Sequence, residues 1–451
     1  MQNTRDGTVC ILGLGYVGLT LATVMADVGF RIVGAEIRED IVKTLSDGKS
    51  HFHEPRLEQK LRRAIRRGQF SCADKIPKNC PASVYIITVG TPLDDKGRVR
   101  LDMIANASRE VAAHLKKDDL VIVRSTVKLG TTRKIVGTIL KETGIEFDLA
   151  FCPERTLEGQ ALEELRWLPQ IIGGGSTSAS IRAAQLFQHI TPTSIRVSDI
   201  ETAETIKLVD NAHRDVLFAY SNEVARICDA TGVSAAEVIR SGALGYPRTD
   251  LPLPGLVGGP CLSKDSYILA EDLHHFDVEA ELSLLARRIN ERQPEEIIEN
   301  LSGLIETFRG FPERPRITLM GLAFKGRPET DDLRGSMAIP VLKALTRRFP
   351  NAEFRGFDAV IAGPFIRDMG LEPCRTMEEA MSGANLVLII NNHKIFSDFS
   401  IQESANTLGR PGLIYDFWNN FDSRDLELPE GTGYMALGSR GRAILPELKG
   451  A

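Results

Sequence analysis

No apolar run in this sequence is long enough to cross a membrane; the longest, such as Leu386 to Ile390, are of strand length. Surplus positive charge is also missing. With 55 Lys and Arg against 60 Asp and Glu, nothing in the balance draws the chain to nucleic acid. The seven cysteines (10, 72, 80, 152, 228, 261 and 374) are odd in number and scattered, with no C-x-x-C pair. That argues against a disulfide framework or a thiolate zinc site, and no metal is expected. The polar opening MQNTRDGT runs straight into an apolar strand, without the apolar core and cleavage site of a secretory leader, so the expected location is the cytoplasm. What is present is the composition of an ordinary globular protein. Its 451 residues, 43% of them hydrophobic, provide for about three domains with their cores.

From Thr8 to about Ser198 short apolar runs alternate with helical patterns. Val9 to Leu12, Arg31 to Ile37, Ser83 to Val89 and Leu120 to Val123 read as strands, and Val17 to Val28 as a helix. Near-continuous Val, Ile and Leu is the mark of strands buried on both faces of a parallel sheet, which predicts a doubly wound α/β domain. Beyond Glu201 the period changes. Ile206, Val209, Val216, Leu217, Tyr220, Val224 and Ile227 fall at helical spacing, predicting one long helix from Glu201 to Thr231, ended by Gly232, with Ser234 capping the next. After Arg314-Pro315 the alternation restarts, with strands at Arg316 to Met320, Glu353 to Asp358, Leu386 to Ile390 and Leu413 to Asp416, and a helix at Ser336 to Phe349. The expected architecture is therefore two Rossmann-like α/β domains, 1–200 and 311–451, joined by a helical middle domain, 201–310. The long helix of that middle domain is a natural place for two subunits to pair.

Gly13-Leu14-Gly15-Tyr16-Val17-Gly18 follows the first strand and opens the first helix. Gly13 and Gly15 permit a tight turn and close approach to a pyrophosphate, and Gly18 lets helix and strand pack. The helix start, with Tyr16 and Val17, offers unpaired amides to phosphate oxygens. Glu36, at the end of the second strand, is placed to hold ribose hydroxyls and repel a 2′-phosphate, which favours NAD over NADP. Arg38, just beyond it, pulls the other way. A glycine turn that binds nothing is the weaker reading in this context.

Residues 255 to 267 read GLVGGPCLSKDSY. Glycines clear side chains from a loop that a ligand approaches. Pro260 suits a first helical position, putting Cys261 in the first turn, where free amides and Lys264 favour a thiolate. With Asp265 beside it, a nucleophile and its base are both at hand. Most cysteines are small buried hydrophobes, and this setting reverses that default.

At this point the chain resembles the nucleotide-sugar 6-dehydrogenases, a family that includes the UDP-glucose, UDP-N-acetylhexosamine and GDP-mannose dehydrogenases. Nearly the whole length carries the resemblance, through GLGYVG (13–18), VGTP (89–92), STVKLGTT (125–132), CPERTLEG (152–159), KLVDN (207–211), GGPCLSKD (258–265) and GLAFKGRPETDDLR (321–334). It implies NAD as cofactor, a nucleotide sugar as substrate, and a four-electron oxidation of the sugar C6 hydroxyl. In that chemistry the first hydride transfer gives an aldehyde, which Cys261 traps as a thiohemiacetal. A second transfer gives a thioester, and water releases the uronate. The resemblance further implies that Lys207 and Asn211 stabilise the oxygen at C6, with Lys207 a candidate acid/base. Asp265 and Thr126 would position water, and Glu154 would assist proton movement and touch substrate. Thr91, Thr126, Lys264 and Arg334 are implied cofactor contacts. Gly258, Lys325 and Arg248 are implied substrate contacts, with Arg248 reaching a neighbouring subunit of a homodimer or larger assembly. Independently, residues 207 and 211 lie one helical turn apart, so an ammonium and an amide can converge on one oxygen.

Each residue also has a plain structural reading. Lys207 could be a solvated helix lysine, Thr126 a strand-end hydroxyl bonded to backbone, and Glu154 a loop carboxylate paired with Arg155. Arg155, Pro260, Gly335 and Met337 depart from the family pattern. Arg155 resembles the N-acetylhexosamine enzymes, so the sugar leans that way, with glucose as the alternative. Two other functions compete: a one-step NAD-dependent hydroxyacid or sugar-phosphate dehydrogenase, and a catalytically silent NAD-binding regulatory protein. Neither has a use for Cys261.

Overall fold

The computed structural model describes residues 7–271 and 273–449. They form two compact units: the chain up to Asn211 together with Lys264–Ala280, and Ala212–Ser263 together with Glu281 onward. No helix among the described residues is long and apolar enough to cross a membrane.

The first unit is built on eight strands: β1 (Thr8–Leu12), β2 (Arg31–Ala35), β3 (Phe70–Ala73), β4 (Val84–Ile87), β5 (Asp119–Val123), β6 (Phe147–Phe151), β7 (Gln170–Gly174) and β8 (Ser194–Val197). Their order is β3-β2-β1-β4-β5-β6-β7-β8, and only the β6–β7 pair is antiparallel. Successive β1 side chains enter different cores: Val9 and Ile11 pack on one face, Cys10 and Leu12 on the other. Two covered faces explain why the strand is apolar throughout rather than alternating. Each fully buried Leu or Ile in such a core contributes about 2 kcal/mol relative to exposure. The second strand stops at Ala35, two residues short of the expected Ile37, because Glu36 turns aside to bond backbone amides and Ile37 is 89% exposed.

The second unit has β9 (Arg316–Met320), β10 (Glu353–Phe357), β11 (Glu372–Pro373), β12 (Leu386–Ile389), β13 (Gly412–Asp416) and β14 (Thr432–Ala436). They form an all-parallel sheet in the order β11-β10-β9-β12-β13-β14. Leu386 and Leu388 face one core, Val387 and Ile389 the other.

Between the sheets the chain is helical: Ile200–Thr231, Ala235–Ala243, Leu262–Ala270 and Glu281–Ile305. The long helix runs over the expected residues. Gly232 follows it at φ +77°, and Ser234 accepts the Glu237 amide as the next helix's cap. This segment divides between the two compact units rather than forming a third.

Candidate active site

In the first unit the strand order reverses between β1 and β4, the place in an open parallel sheet where ligands bind beyond the carboxyl ends. The Gly13–Gly18 turn stands there. A Cβ on Gly18 would fall 1.9 Å from the Gly13 carbonyl oxygen, so only glycine lets the helix Tyr16–Asp27 sit this close to β1. Gly15 has open space where its Cβ would be, the clearance a pyrophosphate needs to reach the first helical amides. Glu36 accepts the Leu14 amide at 2.8 Å and the Arg38 amide at 3.0 Å. Its carboxylate is thereby fixed beside the turn, and Arg38 is neutralised by Asp40 at 2.6 Å. Of the two, Glu36 is the one the backbone holds beside the turn, while Arg38 pairs with Asp40 in solvent. These residues fit NAD.

Tyr16 extends the turn's anchorage. Its hydroxyl bonds Glu54, its ring lies 4.9 Å from Phe52, and the Gly159 amide donates to Glu54 at 2.7 Å and to the tyrosine oxygen at 2.9 Å. Burial, then the Glu54 carboxylate, push the phenol well above its ordinary pKa, so it stays protonated. Val17, next along, belongs to the same helix. The loops after β4 and β5 are tied together: Thr91 donates to the Thr126 carbonyl at 2.6 Å and Ser125 to that of Val89 at 2.6 Å.

Glu154, just past β6, is buried with Arg124. The guanidinium reaches one carboxylate oxygen at 2.7 and 3.1 Å, while the Arg155 and Thr156 amides donate to the other at 2.7 and 2.9 Å. The pairing expected with Arg155 is thus through its backbone alone; the Arg155 guanidinium bonds Asp210 at 3.0 Å. Burial pushes Glu154 up, but Arg124, the Thr156 amide and Lys207 more than offset it and hold the carboxyl below its usual range.

Lys207 and Asn211 lie one turn apart on the long helix, 8% and 7% exposed. The Lys207 ammonium has no hydrogen bond or ion pair among the described residues, so the reading of a solvated, surface lysine does not hold. Asn211 donates to one oxygen of the fully buried Asp265 at 2.6 Å, and Lys264 holds the other at 2.7 Å. Asp265 therefore acts on the Asn211 amide, orienting it.

In the second unit Cys261 is exposed and immediately precedes the helix Leu262–Ala270, where the sequence placed it inside the first turn. Helical bonding still reaches back around it, since the Ser263 amide donates to the Gly259 carbonyl at 3.3 Å. The glycines before it are packing devices. A Cβ on Gly258 would lie 2.1 Å from the Gly335 carbonyl oxygen, and Gly259, at φ +96°, would put one 2.4 Å from the Phe324 ring. Lys325 sits in the turn after β9, where this sheet's order also reverses, its ammonium 5.4 Å over the Phe324 ring. Arg334 is bound to Asp332 at 2.6 Å and faces solvent. Arg248 stands on an exposed loop, 5.3 Å over the Tyr246 ring.

The first unit therefore gathers Gly13, Gly15, Tyr16, Val17, Gly18, Glu36, Thr91, Thr126, Glu154, Lys207, Asn211, Lys264 and Asp265; the second carries Arg248, Gly258, Cys261, Lys325 and Arg334. Arg124 and Glu54 escaped the sequence reading. The only signal for Arg124 was a basic residue at the end of an apolar strand, and Glu54 lies outside every motif.

A mostly parallel and an all-parallel sheet, a dinucleotide turn and a buried lysine–asparagine pair define a nicotinamide-dependent dehydrogenase with a second nucleotide-binding fold. The chain belongs to the UDP-glucose/GDP-mannose dehydrogenase family, whose members are NAD-dependent nucleotide-sugar dehydrogenases. Its NAD binding domain matches residues 7–191, its central domain 201–292 and its UDP binding domain 318–423. The chain is 33% identical over 415 residues to the UDP-N-acetyl-D-mannosamine dehydrogenase of Pyrococcus horikoshii, covering 90% of this chain and 94% of that one. A solved structure of UDP-D-ManNAc dehydrogenase from that organism superposes with a TM-score of 0.84 at 30% identity, covering 96% and 100% of the two chains. The UDP-glucose dehydrogenase of Pyrobaculum islandicum gives 0.84 at 25% identity, covering 97% and 99%. Enzymes named for different sugars share the backbone equally well, so the fold does not select between them.

Proposed function

We propose that this enzyme oxidises the C6 hydroxyl of a UDP-linked N-acetylhexosamine to the carboxylate, with Cys261 carrying the carbon between two oxidation steps. The observation that carries this reading is the buried Lys207 ammonium, without a hydrogen bond or ion pair among the described residues, beside an asparagine amide locked by Asp265. Two donors fixed in advance on one helix face suit an oxygen that gains negative charge as its carbon is oxidised. NAD supplies the hydride acceptor for each step. Glu154, kept ionised by Arg124, assists proton movement at the substrate, and Thr126 positions the hydrolytic water. The Cys261 sulfur adds to the aldehyde carbon to give a thiohemiacetal; the second oxidation turns this into a thioester, and the thiolate leaves when water attacks it. Lys325 and Arg248 bind the diphosphate side of the substrate, as cations on flexible stems do. Gly13 to Gly18, Glu36 and Thr91 serve the dinucleotide, with Lys264 and Arg334 at its margin.

By role the chain divides into a cofactor domain (1–200), a helical catalytic domain (201–310) and a sugar-nucleotide domain (311–451). The working unit is a cytoplasmic homodimer paired through the long helix. Arg155 and the kinship to a UDP-N-acetyl-D-mannosamine enzyme support the N-acetylhexosamine over glucose.

The test is the yield of NADH per sugar consumed, across UDP-GlcNAc, UDP-ManNAc, UDP-glucose and GDP-mannose. Two equivalents are expected with a UDP-N-acetylhexosamine; one equivalent means a one-step dehydrogenase and overturns the reading. Cys261→Ser should bind NAD and release no uronate, and full uronate production by that variant removes the cysteine from the mechanism.

A further inference from the structure

The segment that carries the exposed Cys261 is held almost everywhere else. Arg287, from the helix Glu281–Ile305, is 1% exposed. It donates to the Leu262 carbonyl at 2.8 Å, the Val257 carbonyl at 3.0 Å and the Asp215 carboxylate at 3.1 Å. The two carbonyls bracket the cysteine, four residues before it and one after. Asp215, from the long helix, is fully buried, and Asn290 bonds both its carboxylate at 2.7 Å and its carbonyl at 3.0 Å. Asn290 in turn accepts from Asn222 at 3.0 Å, and Asn222 makes a two-way bond with the Gly255 backbone, at 3.1 and 2.9 Å. On the other side of the loop the Gly259 amide donates to the Gly335 carbonyl at 2.8 Å.

We infer that Arg287, neutralised by Asp215, is the positioning residue of the cysteine loop, fixing where the sulfur stands. The inference rests on the proposed role of Cys261. A buried arginine is costly to desolvate, and the cost is met here by the Asp215 carboxylate and two carbonyls on the terminal nitrogens, with the Glu291 carboxylate 3.4 Å from Nε. No apolar replacement would bind those carbonyls, and lysine lacks the planar fork that reaches both together. The arrangement suits a nucleophile that must add to one aldehyde carbon and hold it through the second oxidation without drifting. A misplacement of about 1 Å costs on the order of a hundredfold in rate.

Three measurements test this. In Arg287→Lys, kcat should fall roughly a hundredfold while KM for NAD, a property of the glycine turn, stays within about twofold. Alkylation of Cys261 by iodoacetamide, followed by peptide mass mapping, should change in rate and in pH profile. The other six thiols are buried or half-buried, so the reagent reads this one. Wild-type kcat and alkylation in the folded variant overturn the inference. If Arg287→Lys does not fold, the double variant Arg287→Met/Asp215→Leu removes both charges together and is read the same way. Hydrogen exchange on the unaltered enzyme needs no variant: slow exchange across 255–263 is expected, and exchange at the rate of an open loop overturns the inference. Cys261→Ser with full uronate production would instead sink the cysteine mechanism, and would leave the exchange result for the clamp unchanged.

Discussion

At the scale of single residues, charge is handled by enclosure. Arg124 and Glu154 have side chains 1% and 8% exposed, and neither could be ionised there alone at tolerable cost. Because the Glu154 pKa is lowered on folding, its contribution to stability is fully present above the unfolded carboxylate value and is lost as pH falls through the lower folded value. In Arg124→Gln the carboxylate keeps its burial and loses its cation. Its pKa should rise above the ordinary value, moving the acid limit of activity to higher pH, and the melting free energy should drop by about 3–5 kcal/mol at neutral pH. Thermal unfolding and kcat measured from acid to neutral pH check both; an acid limit identical to wild type would show that Glu154 does not govern it. Little of this pair was legible in the sequence. Arg124 and Glu154 are brought together by the β5–β6 pairing, and nothing local in either segment marks the partner. Glu36, by contrast, could be read because the dinucleotide turn and the second strand fix its position by spacing alone.

At the scale of elements, glycine has two uses that the sequence does not distinguish. Gly15 leaves room for a ligand, whereas Gly258 and Gly259 leave room for protein: Gly335 and Phe324 take up the space. Both glycines before Cys261 looked like ligand clearance, since a motif reveals that a side chain is missing and not what fills the gap. Gly259→Ala should therefore destabilise the second unit by about 2–4 kcal/mol, combining a disfavoured positive φ with overpacking. A melting curve for the variant decides it. Unchanged stability with weakened sugar binding would instead make the position a ligand contact. Strands and helices with a strong period were legible almost to the residue: the Arg316–Met320 strand and the Ile200–Thr231 helix match expectation closely. Those that escaped include the edge strands β3, β8, β11 and β14 and the interior strands β6 and β7, whose apolar runs are broken by Asp148 and by the Gly173-Gly174 pair. β8 is largely open to solvent at Ile195 and Arg196, and β11 has only two residues.

At the scale of the whole molecule, the long helix has an apolar stripe left exposed among the described residues. Val209, Tyr220 and Ile227 are 47%, 54% and 54% exposed. They lie eleven and seven positions apart, close to three and two whole turns at 3.6 residues per turn, so they share one face. A second copy offering the same stripe about a two-fold axis would cover it, as isologous pairing requires. Sedimentation velocity should then find a dimer for the wild type and a monomer for Tyr220→Glu with Ile227→Glu. Arg248, on its exposed loop, would serve the neighbour's substrate in such a pair, which makes a sharper prediction. Arg248→Ala and Cys261→Ser should each be inactive alone. After subunit exchange at equal amounts, half the dimers are mixed and each has one complete site, restoring roughly a quarter of wild-type activity. If Arg248 acts within its own chain, a mixed dimer contains no complete site and the mixture stays inactive, so recovery alone decides whether the active site is shared between subunits.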